Sequence, residues 1–147
     1  MHSVSLYERA RCSMSNSILC VIDFSNSSRK ALEWAVMSAT SNQSHLTILF
    51  PYRLTRLPFG ESAVAMKRKI EEEANKNFGV LETEFLKGSK VSYDFKTGVG
   101  FLSDRVEEHA KRNPLSFVVI DKNVRSINRE SFDDLVEHAN VPVVIVP

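Results

Sequence analysis

The sequence predicts a three-layer α/β/α domain, a doubly wound sheet of five mostly parallel strands flanked by four helices. Three observations carry this expectation. An apolar run ending in an acid, Ser17-Ile-Leu-Cys-Val-Ile-Asp23, stands near the start, and a second apolar run, Val141-Pro-Val-Val-Ile-Val-Pro147, closes the chain. Between them, short apolar runs alternate with patterns of helical period. Strands that are apolar on both faces need cover on both sides, which crossover helices provide.

The elements follow in order. Ile18 to Phe24 reads as the first strand, and Asn26-Ser-Ser28 supplies oxygen side chains that can cap the next helix. There Ala31, Leu32, Ala35, Val36 and Ala39 form one apolar face, and Ser41-Asn-Gln-Ser44 ends the helix. His45 to Tyr52 is the second strand, nearly all apolar. A loop over Leu54 to Gly60 carries Pro58 and Gly60. A helix from Ser62 to about Leu86 then presents Ala63, Met66, Ile70, Ala74, Leu81 and Phe85 inward. Lys67-Arg-Lys69 and Glu71-Glu-Glu73 form its solvated face.

Lys90 to Lys96 alternates Val91, Tyr93 and Phe95 with polar residues, as an edge strand does. Thr97-Gly-Val-Gly100 is expected to turn the chain into a helix over Phe101 to Arg112, with Leu102, Val106 and Ala110 inward and Pro114 beyond it. Ser116 to Ile120 is the fourth strand. A fourth helix, about Asn128 to Ala139, carries Phe132, Leu135, Val136 and Ala139 at helical spacing, and Val141 to Val146 is the last strand. Val21, Ile48, Val119 and Val144 are expected in the core.

At 147 residues, 43% hydrophobic and 25% charged, the chain suits one domain, expected over residues 17–147 after a loosely ordered extension over 1–16. The extension has neither the apolar core of a secretion signal nor a membrane span, and Met14 is an alternative start. Lys and Arg against Asp and Glu number 9 to 7 in residues 1–73 and 10 to 11 in the rest. So even a balance lacks the basic stripe of a nucleic-acid binder. Two cysteines, Cys12 and Cys20, the second inside a strand, fit a reduced, cytoplasmic setting.

In a five-strand doubly wound sheet the first strand is central, and a crevice opens where the strand order reverses beside it. Asp23, Ser25, Asp121, Lys122 and Asn123 would line that crevice. Other chemical signals are poor. His2, His45, His109 and His138 show no metal-ligand spacing with one another or with the cysteines, so no metal is expected. Gly98-Val-Gly100 is a fragment of a dinucleotide fingerprint and reads as a turn. No nucleophile elbow or Walker loop is present, and no catalytic residue is assigned.

Ile18-Leu-Cys-Val-Ile-Asp23-Phe-Ser25 with Ser28 and Ala31-Leu32-Glu-Trp-Ala35 resembles the opening of the universal stress protein family. Val136-Glu-His-Ala-Asn-Val-Pro142-Val-Val-Ile-Val146 is similar to that family's closing helix and strand, and Gly98 falls where the family has a glycine. The resemblance covers about Ser17 to Pro147. It implies a Rossmann-like fold, a dimer joined through the last strand, and a cytoplasmic protein of the stress response.

The family's ATP-binding branch carries Gly, two residues, Gly, about nine residues, then Gly and Ser or Thr, directly after the fourth strand. Glycines there let backbone amides approach phosphates. This chain reads Asp121-Lys-Asn-Val124-Arg-Ser-Ile-Asn-Arg-Glu130-Ser131. Asp121 and Val124 take the places of the first two glycines, the third falls near Arg129 or Glu130, and Ser131 alone matches the final hydroxyl. Val124 resists positive φ, and Asp121 would meet a phosphate with like charge. Asp23 reads either as a contact for a base or ribose or as a cap on the first helix.

The resulting expectation is a non-catalytic stress-response or regulatory homodimer without cofactor, bound to neither nucleic acid nor membrane, and acting on an unidentified protein partner. Its subunits would pair through Val141, Val143, Val144, Ile145 and Val146, an apolar edge that needs cover. The alternative is an ATP- or AMP-binding switch or weak ATPase using Asp23 with Lys122, Arg125 and Arg129.

Overall fold

The computed structural model describes residues 17–55, 60–138 and 140–147. The extension over 1–16, Cys12, Pro58 and Ala139 lie outside the described residues. Five strands, β1 (Ser17–Val21), β2 (His45–Tyr52), β3 (Tyr93–Val99), β4 (Phe117–Asp121) and β5 (Val143–Val146), form one sheet in the order β3-β2-β1-β4-β5. All four pairings are parallel. The connecting helices are α1 (Asn26–Asn42), α2 (Ala63–Leu81), α3 (Leu102–Arg112), α4 (Lys122–Ile127) and α5 (Arg129–His138).

The pleat sends alternate side chains to two cores. Ile18, Cys20, Ile22, Leu46 and Ile48 pack under the small-residue face of α1, where Ala31, Leu32, Ala35, Val36 and Ala39 are all buried, and under Phe78 and Leu81 of α2. Leu19, Val21, Leu49, Val118 and Ile120 meet Leu102 and Val106 of α3, Val124 of α4, and Phe132 and Leu135 of α5 on the other face. Burial of a side chain such as Leu32 contributes about 1.5–3 kcal/mol. Cys20 is fully enclosed, and burial first, then the charge of Asp121, pushes its thiol far above the ordinary range.

Four expectations need correction. Four helices become five, because the segment after β4 coils at once into α4, and α5 follows one residue later. Thr97-Gly-Val-Gly100 is not a turn throughout. β2 is long enough to offer ladder partners as far as Pro51↔Gly98 and Tyr52↔Val99, so β3 runs on to Val99 and the chain turns at Gly100, with φ +135°. Val144 is only half-buried, since β5 is a sheet edge, whereas Val21, Ile48 and Val119 are fully enclosed. Along α2 the first turns overhang solvent, leaving Ala63 exposed, while Phe78 is buried and stacks on Phe95 at 4.3 Å. A π-helical turn, Glu82–Leu86, then seats Leu86 in the core.

Candidate functional site

The order of the strands reverses between β1 and β4, and the two carboxylates that follow them meet at that crevice. After β1 the chain makes a tight turn in which Phe24 takes a left-handed conformation, φ +63°. For a bulky residue this is strained. It is held by Asp23, whose Oδ1 accepts from Ser25 N at 3.0 Å and from Ser28 Oγ at 2.6 Å. Ser28 Oγ in turn accepts from Asp23 N at 3.0 Å, and Ser25 caps α1 by accepting from Ser28 N at 3.2 Å. The Phe24 ring lies on Phe50, 5.0 Å between centroids, and edge-on to Phe95. Burial works against the Asp23 charge, but hydrogen bonds from Ser25, Ser28 and Asn123 outweigh it and hold the carboxyl below its ordinary value.

Asp121, the last residue of β4, is 1% exposed and caps α4. Its Oδ1 accepts from Val124 N at 3.1 Å and its Oδ2 from Asn123 N at 3.3 Å. Burial chiefly, with the nearby negative charge of Asp23, raises its carboxyl above the ordinary value despite those two N–H groups. Asn123 bridges the halves of the crevice, donating from Nδ2 to Asp23 Oδ2 at 3.4 Å. Val124, in the place of a phosphate-loop glycine, is 2% exposed and serves the second core.

The crevice therefore joins Asp23, Ser25, Asp121 and Asn123. Lys122 is exposed at its rim. Ser131 serves elsewhere: its Oγ accepts from Ser103 N at 2.8 Å and donates to Ser103 Oγ at 3.0 Å, capping α3. It borders a separate hollow of about 240 Å³ shared with Arg53, Phe101, Asn128, Arg129 and Glu130, where the Arg53 guanidinium lies 4.5 Å over the Phe101 ring. Arg125 lies over the Phe132 ring at 5.3 Å. Ser28, wholly buried, is the residue whose weight sequence reasoning missed. The sequence offered Ser28 with Asn26 and Ser27 as the helix cap, but the cap is Ser25 and those three residues form the first turn of α1.

Among the described residues no group of three or more His, Cys, Asp or Glu is placed to hold a metal ion. Nor is any helix long and apolar enough to cross a membrane.

An open parallel sheet whose strand order reverses between β1 and β4, with Asp23 and Asp121 at the strand ends there, defines a doubly wound α/β protein. Residues 14–147 match the Universal stress protein family, and the chain belongs to it. Comparison with curated protein sequences gives no match. Among solved structures, the chain is similar to a protein of that family from Burkholderia pseudomallei, with TM-score 0.72, 20% identity, and coverage of 92% of this chain and 98% of that one. It is also similar to a universal stress protein from Archaeoglobus fulgidus in complex with dAMP, with TM-score 0.63, 16% identity and coverage of 91% and 99%. A universal stress protein in complex with cAMP gives TM-score 0.60, 18% identity and coverage of 91% and 98%. At such identities the likeness speaks to fold alone.

Proposed function

We propose that this member of the universal stress protein family is a stress-response regulator that works as a homodimer through protein contacts and holds no ATP at its strand-end crevice. The observation that carries this reading is the capping of α4 by Asp121. The N–H groups of Asn123 and Val124 are the donors a phosphate would need, and both turn to a buried carboxylate. A phosphate there would displace the cap and face its charge. Without bound phosphates the crevice has nothing to hydrolyse, and its hydroxyls at Ser25 and Ser28 are spent on the turn around Asp23.

The test is calorimetric titration of the purified full chain with ATP, ADP and AMP in magnesium, after a check that no nucleotide copurifies. No heat of binding is expected at submillimolar ligand. Submillimolar affinity that disappears in Asp23→Ala would overturn the reading and favour the second one, an adenine-nucleotide switch. Two observations support that alternative: the dAMP and cAMP complexes of the similar structures, and the hollow that sets Arg53 and Arg129 beside Ser131.

The dimer reading rests on the β5 edge. Ile145 is 38% exposed and Val136 53%, and together with Phe132, Val141, Pro142 and Val143 they line an open apolar hollow beside that strand. Pairing two copies through Val143–Val146 would cover both. Light scattering should give a dimer for the natural chain and a monomer for Ile145→Lys. A natural chain that stays monomeric at micromolar concentration would end the dimer reading.

A further inference from the structure

The opposite end of the sheet carries a second constellation. At the N-terminal ends of β2 and β3, His45 and Thr47 stand on the same face as Ser92 and Asp94, since Leu46 pairs with Tyr93 and Thr47 with Asp94. The His45 ring spans the gap: Nδ1 lies 2.7 Å from Ser92 Oγ, and Nε2 lies 2.7 Å from Asp94 Oδ1. Thr47 Oγ1 donates to the same Asp94 oxygen at 2.7 Å, fixing the carboxylate from behind. Burial disfavours the Asp94 charge, but the hydrogen bonds from Thr47 and His45 outweigh it and keep its carboxyl below the ordinary value. An ionised carboxylate only accepts, so Nε2 carries the ring proton, and in the neutral imidazole Nδ1 is left to accept from the Ser92 hydroxyl. This is the relation of nucleophile, base and orienting acid.

Ser92 and His45 open onto a cavity of about 600 Å³ whose wall also includes Thr40, Gln43, Ser44 and Lys90. That volume suits a small organic molecule. Ser44 is 4% exposed, and its Oγ has no hydrogen-bond partner among the described residues. A buried hydroxyl without a partner is costly, which marks a place where a ligand oxygen could be bound.

We propose that Ser92, His45 and Asp94 form an acyl-transfer site for small carboxylic esters, with Ser92 as nucleophile, His45 as general base and Asp94 as a positioning residue. Ser92 Oγ attacks the ester carbonyl carbon while its proton passes to His45 Nδ1. The tetrahedral oxyanion faces the Lys90 and Ser44 wall. As it collapses, the carbon–oxygen bond to the alcohol breaks and His45 returns the proton to the leaving alkoxide. Water then attacks the acyl carbon as its proton passes to His45 Nδ1; the bond from that carbon to Ser92 Oγ breaks, His45 returns the proton to Ser92 Oγ, and the carboxylic acid leaves. The site lies at the other end of the strands from the crevice and is independent of the reading given there.

The test treats the full chain with a fluorophosphonate, locates the adduct by mass, and follows hydrolysis of p-nitrophenyl acetate. One adduct on Ser92 is expected, absent in Ser92→Ala and formed about 100-fold more slowly in His45→Ala, the scale of general-base assistance. His45→Gln serves if the alanine variant does not fold. Asp94→Asn should lower kcat with KM unchanged, whereas an acid of structural importance alone would leave kcat intact in protein of native circular dichroism. No adduct on Ser92, or an unchanged rate of labelling without the imidazole, would overturn the proposal.

Discussion

Asn123 Nδ2 donates to Asp23 Oδ2 at 3.4 Å, tying the turn after β1 to the helix after β4 across a sequence separation of 100 residues. The contact places a neutral donor between two acids. Across it the charge of Asp23 still adds to burial in raising the Asp121 carboxyl.

Asn123→Asp should therefore be costly. It would remove the donor and set a third carboxylate in the crevice, lowering stability at neutral pH by about 1–3 kcal/mol. The loss should shrink toward pH 3, where carboxyls take up protons. Urea unfolding at the two pH values measures both effects.

The two acids should respond to pH with opposite sign. The Asp23 carboxyl is held below its ordinary 3.8, so its contribution is present above that value and is lost as pH falls through the folded-state pKa. The Asp121 carboxyl is raised, so folding favours its protonated form, and its ionisation weakens the fold as pH rises through the raised value. Relative to the natural chain, Asp121→Asn should improve in stability as pH rises from 3 to neutrality, because it cannot ionise; its amide oxygen still accepts from Val124 N, while the bond from Asn123 N is lost at a cost that does not depend on pH. Asp23→Asn should lose stability over the same range. Thermal unfolding as a function of pH separates the two.

Glycines 98 and 100 should tolerate alanine unequally. At Gly98 an added Cβ would lie 2.9 Å from Arg105 Cδ and 3.5 Å from its Cγ, so the Arg105 side chain must shift, but the backbone is not strained. About 1 kcal/mol is expected. Gly100 has φ +135°, where L side chains are strained, and its added Cβ would also lie 3.1 Å from Arg105 Nε. Gly100→Ala should cost more, about 2–3 kcal/mol. Chemical denaturation of the two variants ranks them.

Val124→Gly, which restores a phosphate-loop glycine, should not create an ATP site. It empties a core position that is 2% exposed and leaves the Asp121 cap in place. A loss of about 2–3 kcal/mol is expected from the cavity and from glycine in a helix, with no nucleotide affinity in calorimetry.

The face of α1 was legible because Ala31, Leu32, Ala35, Val36 and Ala39 repeat at helical spacing and every one is buried. The crevice acids were legible because apolar strands end at or just before them. The end of β3 was not, since two glycines read as a turn while the ladder was decided by the length of β2, whose pairing residues, such as Tyr52 for Val99, stand 47 positions earlier in sequence. The break between α4 and α5 was equally hidden. It depends on Asn128, whose side chain and backbone N–H both bond to Val124 O. Ser131 illustrates the limit of motif matching, because its hydroxyl is engaged by a helix that sequence order alone does not bring near.

The two borders of the sheet differ in kind. The β3 border carries Asp94 and the exposed Lys96, whereas β5 offers four β-branched aliphatics in succession. Charged side chains on an outer strand discourage annexation by a neighbour. A molecule with a single adhesive rim can find one mate and then has nothing left to offer, so association stops instead of growing into a fibre. Removing the charges at both Asp94 and Lys96 would strip that guard from β3, and association through a second rim would then be expected.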